Sequence, residues 1–272
     1  MTSQLTVDAL LEQMGVTGRR LDHLHAAEAG AGNISISVDW DTDLESVFPE
    51  KQASVKLPWK VPALAGRTVF VTGSGCRLRE VADAPEKNVS AFIVDEGGET
   101  GTWYTHPNKA YQRPTSEFNS HLAVHNDQVA QRGVSFQAIV HAQPPYLVAL
   151  SHIPETLNNK DFNRMIFRWE PETIVQVPEG IAVLEFMVPG SDELMENNVI
   201  GLRDHRIALW AKHGIMVRSD SSALSAVDTI EYLETGAMYE HMNAASGGKG
   251  TGLSDDEIRR VVSTFNVKTD MY

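Results

Sequence analysis

The stretch Leu209-Trp210-Ala211-Lys212-His213-Gly214-Ile215 predicts a β-hairpin, because two short apolar segments flank a brief turn that contains a glycine. We expect Gly214 to lie in the bend. Other short apolar segments bounded by turn residues predict strands at residues 33–38, 67–72, 91–94, 138–141, 182–186, 207–210 and 215–217. Several strand pairs follow one another through brief turns, without strict strand–helix–strand alternation. A mainly antiparallel sheet is therefore favoured over a doubly wound parallel sheet.

Helical segments separate some of these strands. Apolar residues at helical spacing predict an opening helix that contains Leu5, Leu10, Leu11 and Met14. Further helices are predicted over residues 115–128, 145–151 and 222–243. The fold class is therefore α/β, with helices packed on the sheet. No linker or internal repeat divides the chain, and we expect residues 1–272 to form a single domain.

Composition and charge exclude several classes of protein. The 272 residues are 42% hydrophobic and 22% charged, which is ordinary for a globular chain. A formal net charge of −13 argues against nucleic acid or an anionic membrane surface as a partner. The single cysteine, Cys76, excludes a disulfide within the chain. Neither a membrane-length apolar run nor a secretion signal is apparent, and the predicted location is cytoplasmic.

Two histidines occupy the ends of predicted strands. His141 closes the apolar run 138–141, and His213 lies at the tip of the predicted hairpin. Strand ends project side chains towards a common rim, where neutral imidazoles can bind a metal ion. Taken alone, such a histidine more often has a structural role, in which its ring is hydrogen-bonded and partly buried.

Glu117 ends the segment Arg113-Pro114-Thr115-Ser116-Glu117, at the first turn of a predicted helix. The helix dipole stabilises a carboxylate at this position, which is a structural explanation for the residue. A rigidly held carboxylate beside a metal ion is also suited to act as a general base. Thr115 and Ser116 are the candidate helix caps, and their hydroxyl and N–H groups could face an anion.

Two glycine-bearing turns complete the set of candidate site segments. Gly30-Ala31-Gly32-Asn33 precedes a predicted strand, and Thr72-Gly73-Ser74-Gly75-Cys76 follows another. Such turns can direct backbone N–H groups at a phosphate, although most glycine-rich turns only reverse the chain. Neither turn matches a Walker loop or a dinucleotide-binding fingerprint.

Together these segments resemble the class II aldolase/adducin superfamily, and within it the family of L-rhamnulose-1-phosphate aldolases. The resemblance rests on six ordered segments: 32–33, 71–75, 114–117 (Pro-Thr-Ser-Glu), 139–141, 187–193 (Met-Val-Pro-Gly-Ser-Asp-Glu) and 209–214. It implies a three-layer α/β/α fold around a mainly antiparallel central sheet, and a homotetramer with sites near subunit interfaces. It also implies a zinc ion held by three histidines and cleavage of a ketose 1-phosphate into dihydroxyacetone phosphate and L-lactaldehyde.

The resemblance assigns roles to individual residues. His141 and His213 match two zinc ligands, and Glu117 matches the catalytic acid/base. A second catalytic acid corresponds to Glu170, with Glu172 as the alternative because the spacing differs. The residues that match the phosphate pocket are Gly32, Asn33, Ser74, Gly75, Thr115 and Ser116.

The chain departs from the family pattern at the third zinc ligand. The family has His-x-His, whereas this sequence reads His141-Ala142-Gln143. The third position could be filled by the amide oxygen of Gln143, by water, or by one of two other histidines, His106 and His152. Since an amide oxygen is a weaker zinc donor than imidazole, zinc affinity should fall, or a harder divalent ion such as Mn²⁺ should compete better.

The expected ligand is a small sugar phosphate, and three functions remain open. The first is metal-dependent cleavage of L-rhamnulose 1-phosphate. The second is another sugar-phosphate reaction on the same fold, by a fuculose-phosphate aldolase or a pentulose-phosphate 4-epimerase. The third is an adducin-like binding protein without catalysis, which the loss of one histidine makes conceivable.

Overall fold

The computed structural model describes residues 4–272, and one sheet contains all nine strands of this range. The strands are β1 (Asn33–Val38), β2 (Glu50–Lys56), β3 (Thr68–Thr72), β4 (Val89–Val94), β5 (Thr100–Thr105), β6 (Phe136–Ala142), β7 (Ile181–Leu184), β8 (Ile207–Trp210) and β9 (Gly214–Ser219). Their order is β2-β5-β4-β3-β1-β6-β9-β8-β7. Only β7 and β8 pair in parallel, and every other neighbouring pair is antiparallel. The predicted antiparallel sheet is confirmed.

Nine α-helices accompany the sheet within the described range. They are α1 (Val7–His23), α2 (Pro85–Asn88), α3 (Phe118–Arg132), α4 (Pro145–Leu150), α5 (Asn159–Phe167), α6 (Pro171–Gln176), α7 (Asp192–Asp204), α8 (Ala223–Ala245) and α9 (Asp255–Thr264). None of these helices is both long and apolar enough to cross a bilayer. Residues 1–3 of the predicted single domain lie outside the described range.

The central strand β1 shows why the protein has three layers. Side chains alternate across a strand, so Ile34, Ile36 and Val38 face one side of the sheet and the polar residues between them face the other. The apolar side packs against α1 and α8 in the largest hydrophobic cluster. On the opposite side, α3 and α7 cover two smaller clusters. The α/β/α arrangement is therefore confirmed.

The strand prediction missed both members of one edge pair. Strand β2 is exposed and mostly polar, and it is held by its ladder with β5 despite a bulge between Gln52 and Val55. Because apolar alternation is weak in an exposed edge strand, the pattern gave no signal there. The prediction likewise missed helices α2, α5, α6 and α7.

Two local predictions at the site were wrong in detail. Helix α3 begins at Phe118, three residues later than predicted, and Glu117 is its N-cap residue without a side-chain capping bond. Thr115 and Ser116 are therefore not the helix caps. In the hairpin, Gly214 is the first residue of β9, whereas Lys212 in the bend adopts a φ of +63°.

Candidate active site and metal centre

Three side chains from different parts of the chain meet at one end of the central strands. His141 comes from β6, His213 from the turn between β8 and β9, and Glu117 from the start of α3. Each offers a ligand atom within 4.8 Å of those of the other two. Glu117 Oε2 lies 3.4 Å from His141 Nε2, and Glu117 Oε1 lies 3.6 Å from His213 Nε2. The structure therefore brings together the two predicted histidine ligands and the predicted acid/base.

The orientation of His141 leaves one ring nitrogen free to bind a cation. Its Nδ1–H donates to the carbonyl of Ile215 at 2.8 Å, which leaves the Nε2 lone pair directed towards Glu117. The ring also stacks on Trp210, with 4.6 Å between ring centroids. A Cβ on Gly214 would lie 2.9 Å from His141 Cε1 and 2.5 Å from the Ala142 carbonyl oxygen. Glycine is therefore required at position 214 by close packing.

The second imidazole has a buried atom that lacks a partner. His213 Nδ1 is buried and finds no hydrogen-bond acceptor or donor among residues 4–272. Burial and the adjacent His141 lower the pKa of His213 to about 4, against the opposing effect of Glu117. The ring is thus neutral near pH 7, which is the form that binds metal ions. Two imidazoles and a carboxylate fit a divalent cation such as zinc.

Glu117 is buried and held on its inner side by Asn33. The Asn33 Nδ2 atom donates to Glu117 Oε2 at 2.8 Å. The Glu117 backbone N–H reaches the Thr115 hydroxyl at 3.4 Å. Its position at the N-terminus of α3 adds a favourable dipole interaction for the carboxylate. The carboxylate is therefore fixed on a rigid element, as general acid–base chemistry requires.

The two glycine turns lie against each other beside this cluster. A Cβ on Gly30 would lie 3.0 Å from the Gly75 carbonyl oxygen, so the two backbones approach closely. The Ser74 N–H donates to the Arg113 carbonyl at 2.9 Å, and the Thr115 N–H donates to the Thr72 carbonyl at 3.1 Å. These bonds join the second turn to the segment that leads into Glu117.

The six predicted phosphate residues therefore gather at one end of β1, β3 and α3. They differ in accessibility. Gly75 and Ser116 are exposed and Gly32 and Ser74 are half-buried, whereas Asn33 and Thr115 are buried. The exposed and half-buried members form the accessible part of this anion-binding candidate, and the two buried members support it from behind.

Gln143 is half-buried and is engaged by a residue that the sequence prediction did not consider. With the amide oriented so that its nitrogen faces Glu28, Nε2 donates to Glu28 Oε1 at 2.6 Å and to Oε2 at 3.2 Å. Histidine, cysteine and acidic side chains can hold a metal ion when their ligand atoms lie close together. Among the described residues, the group that meets this condition is Glu117, His141 and His213. Neither His106 nor His152 joins that group.

The structure does not bring Glu170 to this cluster within one chain. Glu170 is the N-cap residue of α6. It lines a polar cavity of about 610 Å³, which is also lined by Arg206, Asp228 and Tyr232. None of the three cluster residues lines that cavity. Burial, and secondarily Glu172, raise the pKa of Glu170. The assignment of Glu170 as the second catalytic acid stays a prediction. The same holds for its alternative, the exposed Glu172.

Sequence reasoning missed a buried polar chain behind Glu117. Its members are Asn33, His121, Ser35, His125 and Gln137, whose polar atoms lie 2.5–2.9 Å apart in succession. A signal for it was present: His121 and His125 are four residues apart on α3, and Asn33, Ser35 and Ser37 form a polar face that alternates with the apolar face of β1. What the sequence does not reveal is that these two polar rows face each other.

Comparisons with known proteins identify the family. The family described as "Class II Aldolase and Adducin N-terminal domain" matches residues 12–241. The rhamnulose-1-phosphate aldolase of Bacteroides thetaiotaomicron is 28% identical over 247 residues, which cover 89% of this chain and 88% of that protein.

Solved structures give the same result for the fold. A sugar-phosphate aldolase from Thermotoga maritima matches with a TM-score of 0.74 and 26% identity, covering 89% of this chain and 98% of that one. An L-fuculose-1-phosphate aldolase from Thermus thermophilus shares the fold, with a TM-score of 0.57, 20% identity and coverage of 90% and 100%. Because the matched family spans most of its length and the described residues adopt the same fold, the chain belongs to the class II aldolase and adducin N-terminal domain family.

Proposed function

We propose that this protein cleaves L-rhamnulose 1-phosphate by a metal-dependent retro-aldol reaction, giving dihydroxyacetone phosphate and L-lactaldehyde. The observation that carries the proposal is the position of the Glu117 carboxylate between His141 and His213, beside two glycine turns that suit a phosphate. The relatives named as rhamnulose-1-phosphate aldolases support this choice of substrate. They are 28–29% identical to this chain over about nine-tenths of its length.

His141 and His213 would hold the cation through their ring nitrogens, with zinc as the expected ion. The cation, when bound, supplies Lewis-acid stabilisation of the negative charge that develops on the substrate as the C–C bond breaks. Gln143 stands where the family pattern has its third histidine. Its amide oxygen is neutral, as imidazole is, so the charge of the site would be unchanged. An amide oxygen binds zinc more weakly than imidazole does, which favours binding of a harder divalent ion.

Glu117 would manage the proton at the reacting carbon. During cleavage the electron pair of the broken C–C bond stays on the dihydroxyacetone phosphate fragment, and Glu117 delivers a proton to that carbon. In the synthetic direction the same carboxylate removes that proton, so one residue serves as acid and as base. Asn33 orients the carboxylate through its hydrogen bond to Oε2.

The phosphate group would bind at the two turns, where exposed and half-buried residues offer backbone N–H groups and hydroxyls. We assign this role to Gly32, Asn33, Ser74, Gly75, Thr115 and Ser116. Contacts to a group remote from the reacting bond supply the binding energy that holds the substrate in register. Backbone N–H donors bind an anion without added positive charge, in agreement with the net charge of −13.

Glu170 would act only across a subunit interface, because it lies away from the cluster of its own chain. A homotetramer with sites near its interfaces provides such an arrangement. There Glu170 of a neighbouring chain would accept the proton of the hydroxyl that becomes the aldehyde. Mixed oligomers test this assignment: subunits carrying Glu170→Gln combined with subunits carrying Glu117→Gln should regain part of the activity that each variant alone lacks.

The decisive experiment is a coupled assay for dihydroxyacetone phosphate with a panel of ketose 1-phosphates. We expect rapid release of dihydroxyacetone phosphate from L-rhamnulose 1-phosphate and slower release from L-fuculose 1-phosphate. The reverse preference would assign a fuculose-phosphate aldolase. Interconversion of pentulose phosphates without any release would assign an epimerase, and no turnover of any sugar phosphate would favour a binding protein. A cytoplasmic location stays the prediction from the sequence.

A further inference from the structure

The buried polar chain behind Glu117 crosses the interior between α3 and the sheet. From the site inward, Asn33 contacts Glu117 through Nδ2 and His121 through Oδ1. His121 Nδ1 then lies 2.6 Å from the Ser35 hydroxyl, which lies 2.8 Å from His125 Nε2. These distances are within hydrogen-bonding range, and the single hydrogen of the Ser35 hydroxyl can serve one of the two histidines.

The far end of this chain reaches a charged cluster near the surface. His125 Nδ1 lies 2.9 Å from Gln137 Oε1, and Gln137 Nε2 donates to Asp220 at 3.2 Å. Asp220 in turn pairs with Arg132 at 2.7 Å. His121, Ser35, His125 and Gln137 have no exposed surface at all. A polar chain of this kind is costly to bury unless each member is satisfied, so its geometry is tightly constrained.

The orientation of the Asn33 amide fixes the hydrogen on His121. Since the Asn33 nitrogen donates to the carboxylate of Glu117, its oxygen must face inward and accept a hydrogen. The donor is His121 Nε2, so this nitrogen carries the ring hydrogen. Burial, and then its histidine neighbours, lower the pKa of His121 well below its ordinary value, so the ring has only that one hydrogen. His121 Nδ1 therefore accepts from the Ser35 hydroxyl.

We propose that His121, supported by Ser35, is a positioning residue for the reaction proposed above. It holds the Asn33 amide with its nitrogen towards Glu117 and thereby fixes the carboxylate that moves the proton. Without an N–H facing Asn33 Oδ1, the amide keeps its hydrogen bond to Glu117 but loses the inner bond that helps to fix its orientation, and rotation by 180° would direct its oxygen at the carboxylate. Two acceptors would then face each other, and the carboxylate would be displaced. This role rests on the proposed function, because it assumes that Glu117 performs the chemistry.

Two matched variants separate positioning from simple packing. In His121→Gln the amide nitrogen reaches approximately the place of Nε2 and can still donate to Asn33. In His121→Asn the shorter side chain ends near the place of Nδ1 and cannot. Both variants replace the ring by a neutral amide, but His121→Asn leaves the larger cavity, so thermal unfolding of both variants is measured and kcat is compared at a temperature at which both are folded.

We expect His121→Asn to lower kcat by about 10- to 100-fold, which is the effect of losing the hydrogen bond from Asn33 to the charged Glu117. KM should change by less than about threefold, because the outer phosphate contacts are untouched. His121→Gln should recover most of kcat. The zinc content of both variants should equal that of the wild type, since His141 and His213 are unchanged. Equal losses of kcat in the two variants would overturn the proposal.

Two further measurements keep the proposal testable. If neither His121 variant folds, Ser35→Ala removes only a hydroxyl, and an unchanged kcat would overturn the proposal. If the wild-type protein cleaves no ketose 1-phosphate, the proposed function fails separately. The downfield imidazole N–H proton of His121 should then still shift in Glu117→Gln and stay in place in Glu12→Gln, whose site is exposed on α1. Identical spectra for the two variants would contradict the hydrogen-bonded link itself.

Discussion

His141 Nε2 lies 3.4 Å from Glu117 Oε2, although the whole of α3 and most of β6 separate the two residues along the chain. The pairing of β1 with β6 places Asn33 directly opposite His141. Asn33 also donates to Glu117, so Asn33 is a direct neighbour of both the candidate base and the candidate metal ligand. The first residue of β1 therefore positions both of these side chains.

Replacement of Glu117 should remove the proton transfer and leave the fold intact. We expect Glu117→Gln to lower kcat at least about 100-fold, since general acid–base catalysis contributes roughly 10²- to 10⁴-fold. The dihydroxyacetone phosphate assay measures this loss, and the elution volume in size-exclusion chromatography tests the assembly. Glu12→Gln on the exposed face of α1 is the control. Full activity in Glu117→Gln would remove this residue from the mechanism.

Activity should depend on a bound divalent cation. Chelation of the purified protein should abolish cleavage, and addition of zinc or manganese should restore it, because the proposed reaction needs a Lewis acid. Elemental analysis before and after chelation identifies the native ion. His141→Ala and His213→Ala should each weaken binding of zinc to the protein without substrate. Undiminished activity in metal-free protein would exclude this mechanism.

Gln143→His should restore the family's third imidazole and tighten zinc binding. We expect a gain of about tenfold or more in zinc affinity by titration calorimetry, since imidazole is a better zinc donor than an amide oxygen. Glu28→Gln is the matched variant, because it removes the carboxylate that holds the Gln143 amide without adding a ligand. An unchanged zinc affinity in Gln143→His would place position 143 outside the coordination sphere.

Gly214→Ala should disturb the site through packing alone. The added Cβ would lie 2.5 Å from the Ala142 carbonyl oxygen and 2.9 Å from His141 Cε1, so the backbone or the imidazole must move. We expect a loss of about 1–3 kcal/mol in the free energy of unfolding and weaker zinc binding. Gly97→Ala is the control, because no other atom in the described part of the chain lies within 4 Å of its added Cβ. Identical behaviour of the two variants would refute the steric explanation.

Glu234 should make stability depend on pH. It accepts hydrogen bonds from the backbone N–H groups of Tyr146 and Leu147 at 2.7 and 2.9 Å, yet burial raises its pKa from 4.5 to about 7. Because the folded state binds this proton more tightly, the contribution to stability is fully present below about pH 4.5 and is lost as the pH rises through about 7.

The size of this effect follows from the difference between the two pKa values, which corresponds to about 3 kcal/mol. Chemical denaturation between pH 5 and 8 should show wild-type stability falling relative to that of Glu234→Gln, whose side chain does not ionise. Parallel stability profiles for the two proteins would show that the Glu234 carboxyl titrates with an ordinary pKa.

The central strands and the candidate ligands could be predicted from the sequence because their signals are local. Strand β1 occupies the predicted residues 33–38, and β8 the predicted residues 207–210. Apolar alternation and turn residues specify such elements without help from the rest of the chain. His141 and His213 were identified for the same reason, since each stands where an apolar segment ends.

Local patterns in the sequence thus specify the fold class, the central strands and the residue types able to bind a cation and move a proton. Which of these residues meet became known from the folded chain alone. The fold brings Glu117, His141 and His213 together, leaves Glu170 in a separate cavity, and places Glu28 against Gln143. It also joins His121 and Ser35 behind Asn33. Periodicity along a chain specifies the face on which a side chain lies, whereas contacts between distant segments depend on strand register and helix packing, which no local pattern encodes.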